Sequence, residues 1–392
     1  MQPLADITVV AIEQAVAAPF ATRQLADLGA RVIKIERPDG GDFARHYDAT
    51  VKGLSSYFVW LNRSKQSLTL DLKRPESAVV LGALLERADV FVQNLAPGAA
   101  DRLGVSAPVL RERYPRLIAC TVSGYGSTGP YSKKKAYDLL VQGEVGLVSI
   151  TGSDREPAKV GISVADIAAG MYAYSGILTA LLGRATSGRG ASLDVSLFDA
   201  LGEWMSHAAY YTAYGGSPPA RTGADHASIA PYGPIRAADG GQVFIGVQNA
   251  REWRRFCRDV LGSSALADDD RFRSNAARVK NRNALHVVIE SAVGSLSTEE
   301  IVRRLDAAGI ASARMNSVPE FIDHPQLAER DCWREIGSPA GPLRALLPPV
   351  RMEGVEPVMR EVPALGQHTD GILGELGIAP GTIAAWRKEG VI

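Results

Sequence analysis

The sequence predicts an α/β protein whose main domain is a doubly wound, mostly parallel sheet, and three observations carry that reading. Short β-branched runs recur along the first 124 residues, stretches with helical spacing of apolar residues separate them, and glycine or proline marks the joins. Ile7 to Ile12 reads as a strand, Pro19 to Leu28 as a helix, Gly29 as a stop and Arg31 to Ile35 as a second strand. SLTLDL at Ser67 to Leu72 gives a third strand. Pro75 opens a helix running to about Arg87, because proline at the first helical position sacrifices no hydrogen bond. DVFVQN at Asp89 to Asn94 follows, then a helix around Ala107 to Tyr114 and LIACTVSG at Leu117 to Gly124. In such sheets ligands bind beyond the carboxyl ends of the strands.

The region from Ala165 to Leu182 is almost wholly apolar and small, so a helix buried on every side is expected there. It is too short and too glycine-rich to read as a membrane span. Ser192 to Tyr211 reads as a strand running into a long helix, and GGSPPARTG at Gly215 to Gly223 as a linker. Beyond it, QVFIGVQN and a helix from Glu252 to Leu261 belong to a second, smaller domain extending to about Pro319. Pro339 to Pro363 is rich in breakers and is expected to run extended.

Composition narrows the function. Lysine plus arginine and aspartate plus glutamate number 43 each in 392 residues, so no net field draws in a polyanion, and a dedicated nucleic-acid binder is not expected. The three cysteines, Cys120, Cys257 and Cys332, are too far apart for a disulfide framework or a paired zinc site. The amino terminus lacks a basic region, and Glu13 and Pro19 interrupt its apolar run, so a cytoplasmic protein with no membrane partner is expected. Six scattered histidines form no H-x-x-x-H pair, and no G-x-S-x-G elbow occurs, so no metal site is expected and serine hydrolysis loses support.

Gly124-Tyr125-Gly126-Ser127-Thr128-Gly129 spells G-x-G-x-x-G after a strand. A dinucleotide site needs the third glycine inside a helix, whereas Pro130 and the run Lys133 to Lys135 follow here. A loop that lets backbone N–H groups approach a ligand is the reading that remains. Asp166 is the most unusual carboxylate, set at the entrance of the apolar stretch. It suits either of two roles, a first-turn cap of a helix or a poorly solvated nucleophile at the mouth of a dry pocket.

The blocks IEQAVAAPFATRQLADLGARVIKIERPDGGD, NRSKQSLTLDLKRPE, FVQNLAPGAADRLG, VSGYGSTGPY, AYDLLVQGEVG and GISVADIAAGMYAYSGILTALL, in that order, resemble the class III CoA-transferases, the family of formyl-CoA transferase and carnitine CoA-transferase. The likeness runs from about residue 6 to PALGQHTDGILGELG. It implies a Rossmann-like large domain and a smaller α+β domain in an interlocked, ring-shaped homodimer. On that pattern residues 1–214 form the large domain, 215–223 the linker and 224–325 the small domain, and 326–392 return to complete the large one. It also implies that Asp166 is the catalytic nucleophile, passing through an aspartyl-CoA thioester, and that coenzyme A or acyl-CoA is a substrate with no permanently bound cofactor.

Carried over residue by residue, the resemblance assigns CoA contacts to Gln14, Ala15, Ala17, Arg37, Leu70, Lys73, Asn94, Leu95, Ala99, Arg102 and Lys135. Guanidinium and ammonium groups are the right chemistry for CoA phosphates. The racemase branch of the superfamily carries a histidine–aspartate pair where this chain has Tyr137 and Asp138. Tyrosine, with a reference pKa of about 10, is a poor general base at neutral pH, so a 2-methylacyl-CoA racemase is the alternative and a non-catalytic CoA-binding protein a further one. Tyr137, Asp138 and His226 are expected to line the substrate site. The glycine-rich loop of formyl-CoA transferase reads GADHASIAPYG here, and the likeness is greatest to transferases acting on short dicarboxylic acids (itaconate, mesaconate, citramalate, malate) with succinyl-CoA as donor. His226, Arg45 or Arg221 would meet the second carboxylate.

Overall fold

The computed structural model describes residues 2–392. The chain forms two compact units, one of Met1–Val145, Gly161–Met205 and Glu329–Ile392, the other of Gly146–Val160 and Ser206–Ala328. In chain order the first 215 residues give β1 (Thr8–Ile12), α1 (Ala17–Asp27), β2 (Arg31–Glu36), α2 (Ser56–Asn62), β3 (Lys65–Thr69), α3 (Pro75–Arg87) and β4 (Val90–Gln93). Then come α4 (Ala99–Arg102), α5 (Ala107–Arg113), β5 (Ile118–Ser123), α6 (Asp138–Glu144), α7 (Leu147–Ile150), α8 (Val164–Ser187), β6 (Ser192–Ser196), α9 (Leu197–Trp204) and α10 (Ser206–Gly215).

The first unit is a mixed α/β body around a six-stranded sheet in the order β3-β2-β1-β4-β5-β6, with every neighbouring pair parallel. The β-branched strands lie under helices on both faces, as a parallel sheet requires. The order in which strands are added reverses between β1 and β4, and at such a switch point a crevice opens beyond the strand ends. Ile12 and Gln93 sit side by side in that pair, so the residues that follow them line the crevice.

Three expectations shift. The third strand starts at Lys65 rather than Ser67, because its pairing with β2 runs from Val32↔Lys65 to Glu36↔Thr69. The long helix α8 is buried along one face only. Ala165, Ala168, Ala169, Ala173 and Ile177 are enclosed, whereas Met171 is 39% and Leu182 74% exposed. Small residues let α8 lie close on α1: a Cβ on Gly170 would stand 2.7 Å from the Ala17 carbonyl oxygen, so only glycine fits. Burial depends on neighbours, which an apolar composition does not reveal. Finally, the helical run to Tyr211 breaks at Met205, between α9 and α10.

The second unit holds β7 (Tyr232–Arg236), β8 (Gln242–Gly246), α11 (Ala250–Arg255), α12 (Asn275–Lys280), α13 (Arg282–Val293), α14 (Thr298–Ala307), β9 (Ala311–Arg314) and α15 (Val318–Ile322). Its antiparallel sheet, β7-β8-β9, backs a core of Trp253, Phe256, Phe272, Leu285, Ile289 and Leu305. The units divide at Met205/Ser206 and Ala328/Glu329, so α10 and residues 146–160 group with the second unit and 215–223 fall inside it. After α16 (Pro325–Glu329) come the antiparallel pair β10 (Trp333–Ile336) and β11 (Leu343–Leu346), then α17 (Thr369–Glu375) and α18 (Pro380–Lys388). Ile372, Leu373 and Ile383 of these last two helices join the core of the first unit.

Candidate active site

The crevice at the switch point has a rigid floor. Asn94, just past β4, accepts from the Gln14 N–H through Oδ1 at 2.9 Å and donates through Nδ2 to the Gln14 carbonyl at 2.8 Å. The next N–H, that of Ala15, donates to Asp42 Oδ1 at 3.1 Å. Both backbone groups of the turn after β1 are thereby fixed by side chains from neighbouring loops.

Asp166 stands in the first turn of α8, only partly exposed. The helix start needs an acceptor for its orphan N–H groups, and that acceptor is Asp138 at the start of α6. Its Oδ1 accepts from Ala165 N–H at 2.7 Å and Asp166 N–H at 3.2 Å, while Gln142 Nε2 donates to Oδ2 at 2.6 Å. Asp138, expected to line the substrate site, uses its carboxylate to cap α8. Asp166 is correspondingly freed from the capping role. Burial first, and the Asp138 carboxylate second, push its pKa up to about 7, with no cation to offset them. A partly desolvated carboxylate of this kind is chemically a nucleophile or a general base. Tyr47 belongs to the same neighbourhood: burial, then the charges of Asp42 and Asp166, hold its phenol up at about 12, so it remains a neutral hydrogen-bond donor.

The expected cations follow the topology. Arg37 comes directly after β2, Lys73 after β3, Arg102 in α4 after β4 and Lys135 after β5, so four segments that follow strands on the carboxyl edge of the sheet carry exposed positive side chains. The lysine run divides in function. Lys134 pairs with Glu144 and lies over the Tyr131 ring, 4.3 Å from its centroid, which leaves Lys133 and Lys135 on the surface. The loop before it is anchored by Ser127 on Asp194 and by Gly126 N–H on Ser123 Oγ, and the third glycine, Gly129, lies outside any helix.

Two assigned contacts are corrected. Leu70 is 1% exposed inside the core beneath the sheet, and Ala17 is closed over by α8, so neither side chain reaches a ligand. Leu95 and Ala99 are partly buried. Arg45 forms a bidentate pair with Glu36, at 2.8 and 2.7 Å, and Arg221 donates to the carbonyls of Ser149, Ser153 and Asp154, so neither guanidinium is free for a substrate carboxylate. Tyr137 is exposed. In the second unit, His226 stacks on Tyr232 and accepts from Ser228 N–H at Nδ1, which puts the proton of its neutral ring on Nε2.

A six-charge cluster behind the crevice floor escaped the sequence reading. Glu13, Lys34, Glu36, Asp42 and Lys65 are buried, with Arg45 closing one end. Lys34 Nζ lies 2.8 Å from Asp42 and Lys65 Nζ 2.7 Å from Glu13. Burial works against each charge, yet Asp42 and Glu13 hold Lys34 protonated and Lys65 and Lys34 hold Glu13 ionised. The available signal was the pair of lysines inside strands, at RVIKIE and KQSLT, where an inward-facing position should be apolar.

Comparison with known proteins gives the family. The sequence model described as CoA-transferase family III matches residues 4–369, and the chain belongs to that family and is a CoA-transferase. A succinate–glutarate CoA-transferase of Agrobacterium fabrum is 33% identical over 390 residues, covering 95% of this chain and 96% of that protein. A succinyl-CoA:mesaconate CoA-transferase of Haloarcula hispanica is 30% identical over 395 residues, covering 97% and 98%. The crystal structure of a CAIB/BAIF family protein from Brucella suis superposes with a TM-score of 0.84 at 33% identity, covering 96% of this chain and 99% of that one.

Proposed function

We propose that this enzyme moves coenzyme A from succinyl-CoA to a short dicarboxylic acid through a thioester on Asp166. The observation that carries the reading is the division of labour at the start of α8, where Asp138 caps the helix and leaves the Asp166 carboxylate unpaired. An Asp166 oxygen attacks the thioester carbonyl of the donor, and the carbon–sulfur bond breaks to give a mixed anhydride and CoA thiolate. The thiolate attacks the aspartyl carbonyl, so the carbon–oxygen bond breaks and succinate leaves. The acceptor carboxylate then attacks the aspartyl thioester and the same two steps run in reverse. No net bond energy is lost, because each thioester is replaced by another.

Water must be kept from both intermediates, and the alanine-lined face of α8 supplies apolar surroundings. Arg37, Lys73, Arg102 and Lys135 would meet the CoA phosphates, and Gln14, Ala15, Asn94, Leu95 and Ala99 the remainder of the cofactor moiety. Tyr137 is the residue we assign to the acid. The relatives' names favour a dicarboxylate acceptor and widen the candidate acids to include glutarate beside mesaconate, citramalate and itaconate. A racemase would need a base beside Asp166, and Asp138 is committed to two backbone N–H groups. We further propose a homodimer in which a second copy covers the exposed flank of α8.

The experiment is exchange of labelled CoA between succinyl-CoA and a panel of these acids. Transfer to at least one of them supports the reading. Solvent deuterium entering the α-carbon of a 2-methylacyl-CoA, without transfer to any acid, would replace it with the racemase.

A further inference from the structure

The buried charges behind the crevice hold one turn in a conformation it does not favour. Ala15 has φ 61°, in the left-handed region that an alanine enters only against its steric preference. Asp42 Oδ1 grips its N–H at 3.1 Å and also takes Ala44 N–H at 2.9 Å. The other oxygen, Oδ2, is fixed by Lys34 Nζ at 2.8 Å, and the same ammonium donates to the Glu13 carbonyl at 3.1 Å. Lys34 therefore ties together the residue that enters the turn and the carboxylate that closes it. Lys65, at 2.7 Å, and Thr22, at 2.7 Å, hold the Glu13 carboxylate in turn.

Three acids and three bases are enclosed here, although a buried ion pair contributes little stability once its desolvation is counted. What the cluster delivers is geometry. The turn lies where that geometry matters, because the α1–α8 contact joins Ala17, two residues past Ala15, to Gly170, four residues past Asp166. We propose that Asp42, backed by Lys34, is a positioning residue that holds Ala15 left-handed, so that the Gln14–Ala15 backbone presents a fixed edge to the acyl thioester attacked by Asp166. This rests on the transferase reading above.

The test compares wild type, Asp42→Asn, Asp42→Asn with Ala15→Gly, and Ala15→Val, each checked for a cooperative thermal transition. Asparagine keeps the size of Asp42 but must turn its NH2 toward either the Lys34 ammonium or the Ala15 N–H, so one grip is lost. Glycine enters the left-handed region freely, whereas valine loads strain onto the turn and leaves every buried charge in place. Asp42→Asn and Ala15→Val should each lower kcat for CoA transfer by about tenfold or more, with KM for the acid changed less. Amide exchange, read by mass spectrometry over residues 13–18, should speed up in Asp42→Asn, and Ala15→Gly in that background should recover most of the lost kcat. Unchanged kcat and unchanged amide exchange in folded variants would overturn the proposal. So would a loss of kcat matched by lower thermal stability and not recovered by glycine, which is a structural role alone. A wild-type chain that transfers no CoA defeats the functional reading instead, and the amide-exchange arm then still decides whether Asp42 clamps the turn.

Discussion

Two carboxylates at the start of α8 perform tasks that one residue could not combine. Asp138 spends its negative charge on the helix amides, and Asp166 keeps its own, raised to about 7 from an ordinary value of 3.8. The raised pKa means that between those values the folded chain keeps a proton the unfolded chain has lost. Ionising Asp166 as pH rises toward 7 therefore costs stability, and the same step creates the nucleophile. Adduct formation in a single turnover should rise with pH to a midpoint near 7 and then level off. Asp138→Asn should move that midpoint down, since it removes the second cause of the shift. A profile that stays flat from about pH 5 to about pH 9 contradicts the assignment. Asp166 could be found in the sequence because GISVADIAAG carries a family pattern. The role of Asp138 was not legible there, since its bonds span 27 and 28 residues and exist only once α6 meets α8.

At the scale of elements, local chemistry fixed the boundaries that were read best. The helix Pro75–Arg87 starts at a proline that fits the first turn, and its expected limits match the observed ones. Tertiary contacts decided the others. Lys65 enters β3 because Glu13, Pro19 and Asn62 receive its three N–H bonds inside the protein, a partnership that a window of neighbouring residues does not contain. The α1–α8 contact gives a direct check: Gly170→Val should destabilise the fold by about 1–3 kcal/mol in urea unfolding, because its Cβ collides with backbone. Gly183→Ala in the same helix meets nothing within 4 Å and should be neutral or stabilising. β2 makes a second prediction. Burial raises the Glu36 carboxyl, but hydrogen bonds from Arg45 and the charge of Lys34 outweigh it and bring the value down to about 2. Its contribution, about 3 kcal/mol, is present above the unfolded value of 4.5 and is lost as pH falls through 2. Arg45→Gln should flatten the acid limb of the stability profile, and an unaltered limb would show that Arg45 does not set the Glu36 ionisation.

On the scale of the whole molecule, the sheet of the first unit brings the loops after its strands to one edge: Gln14, Arg37, Lys73, Asn94, Arg102 and Lys135 each follow a strand, and Gln14 and Asn94, 80 residues apart, bond to each other there. That convergence was legible because strands alternating with helices dictate parallel pairing, and parallel pairing puts the loops after the strands on one side. The division into units was harder to read. The chain leaves the first unit twice, at Val145 and Met205, and the proline-rich stretch that looked like a linker lies ten residues past the second departure. The exposed flank of α8, with Met171, Tyr172 and Leu182, should lie against a second copy of the chain. Light scattering should therefore report a dimer across a hundredfold range of dilution, and a monomer at any point in that range would remove the dimer from the account.

Covalent carriage of coenzyme A by Asp166 can be read by intact-protein mass spectrometry after mixing with succinyl-CoA. The wild-type chain should gain the mass of one CoA, less one water, discharged on adding an accepting dicarboxylate and by hydroxylamine, and Asp166→Ala should show no gain. Transfer of CoA to an acid with no such adduct at any time, or an adduct that persists in Asp166→Ala, would contradict it.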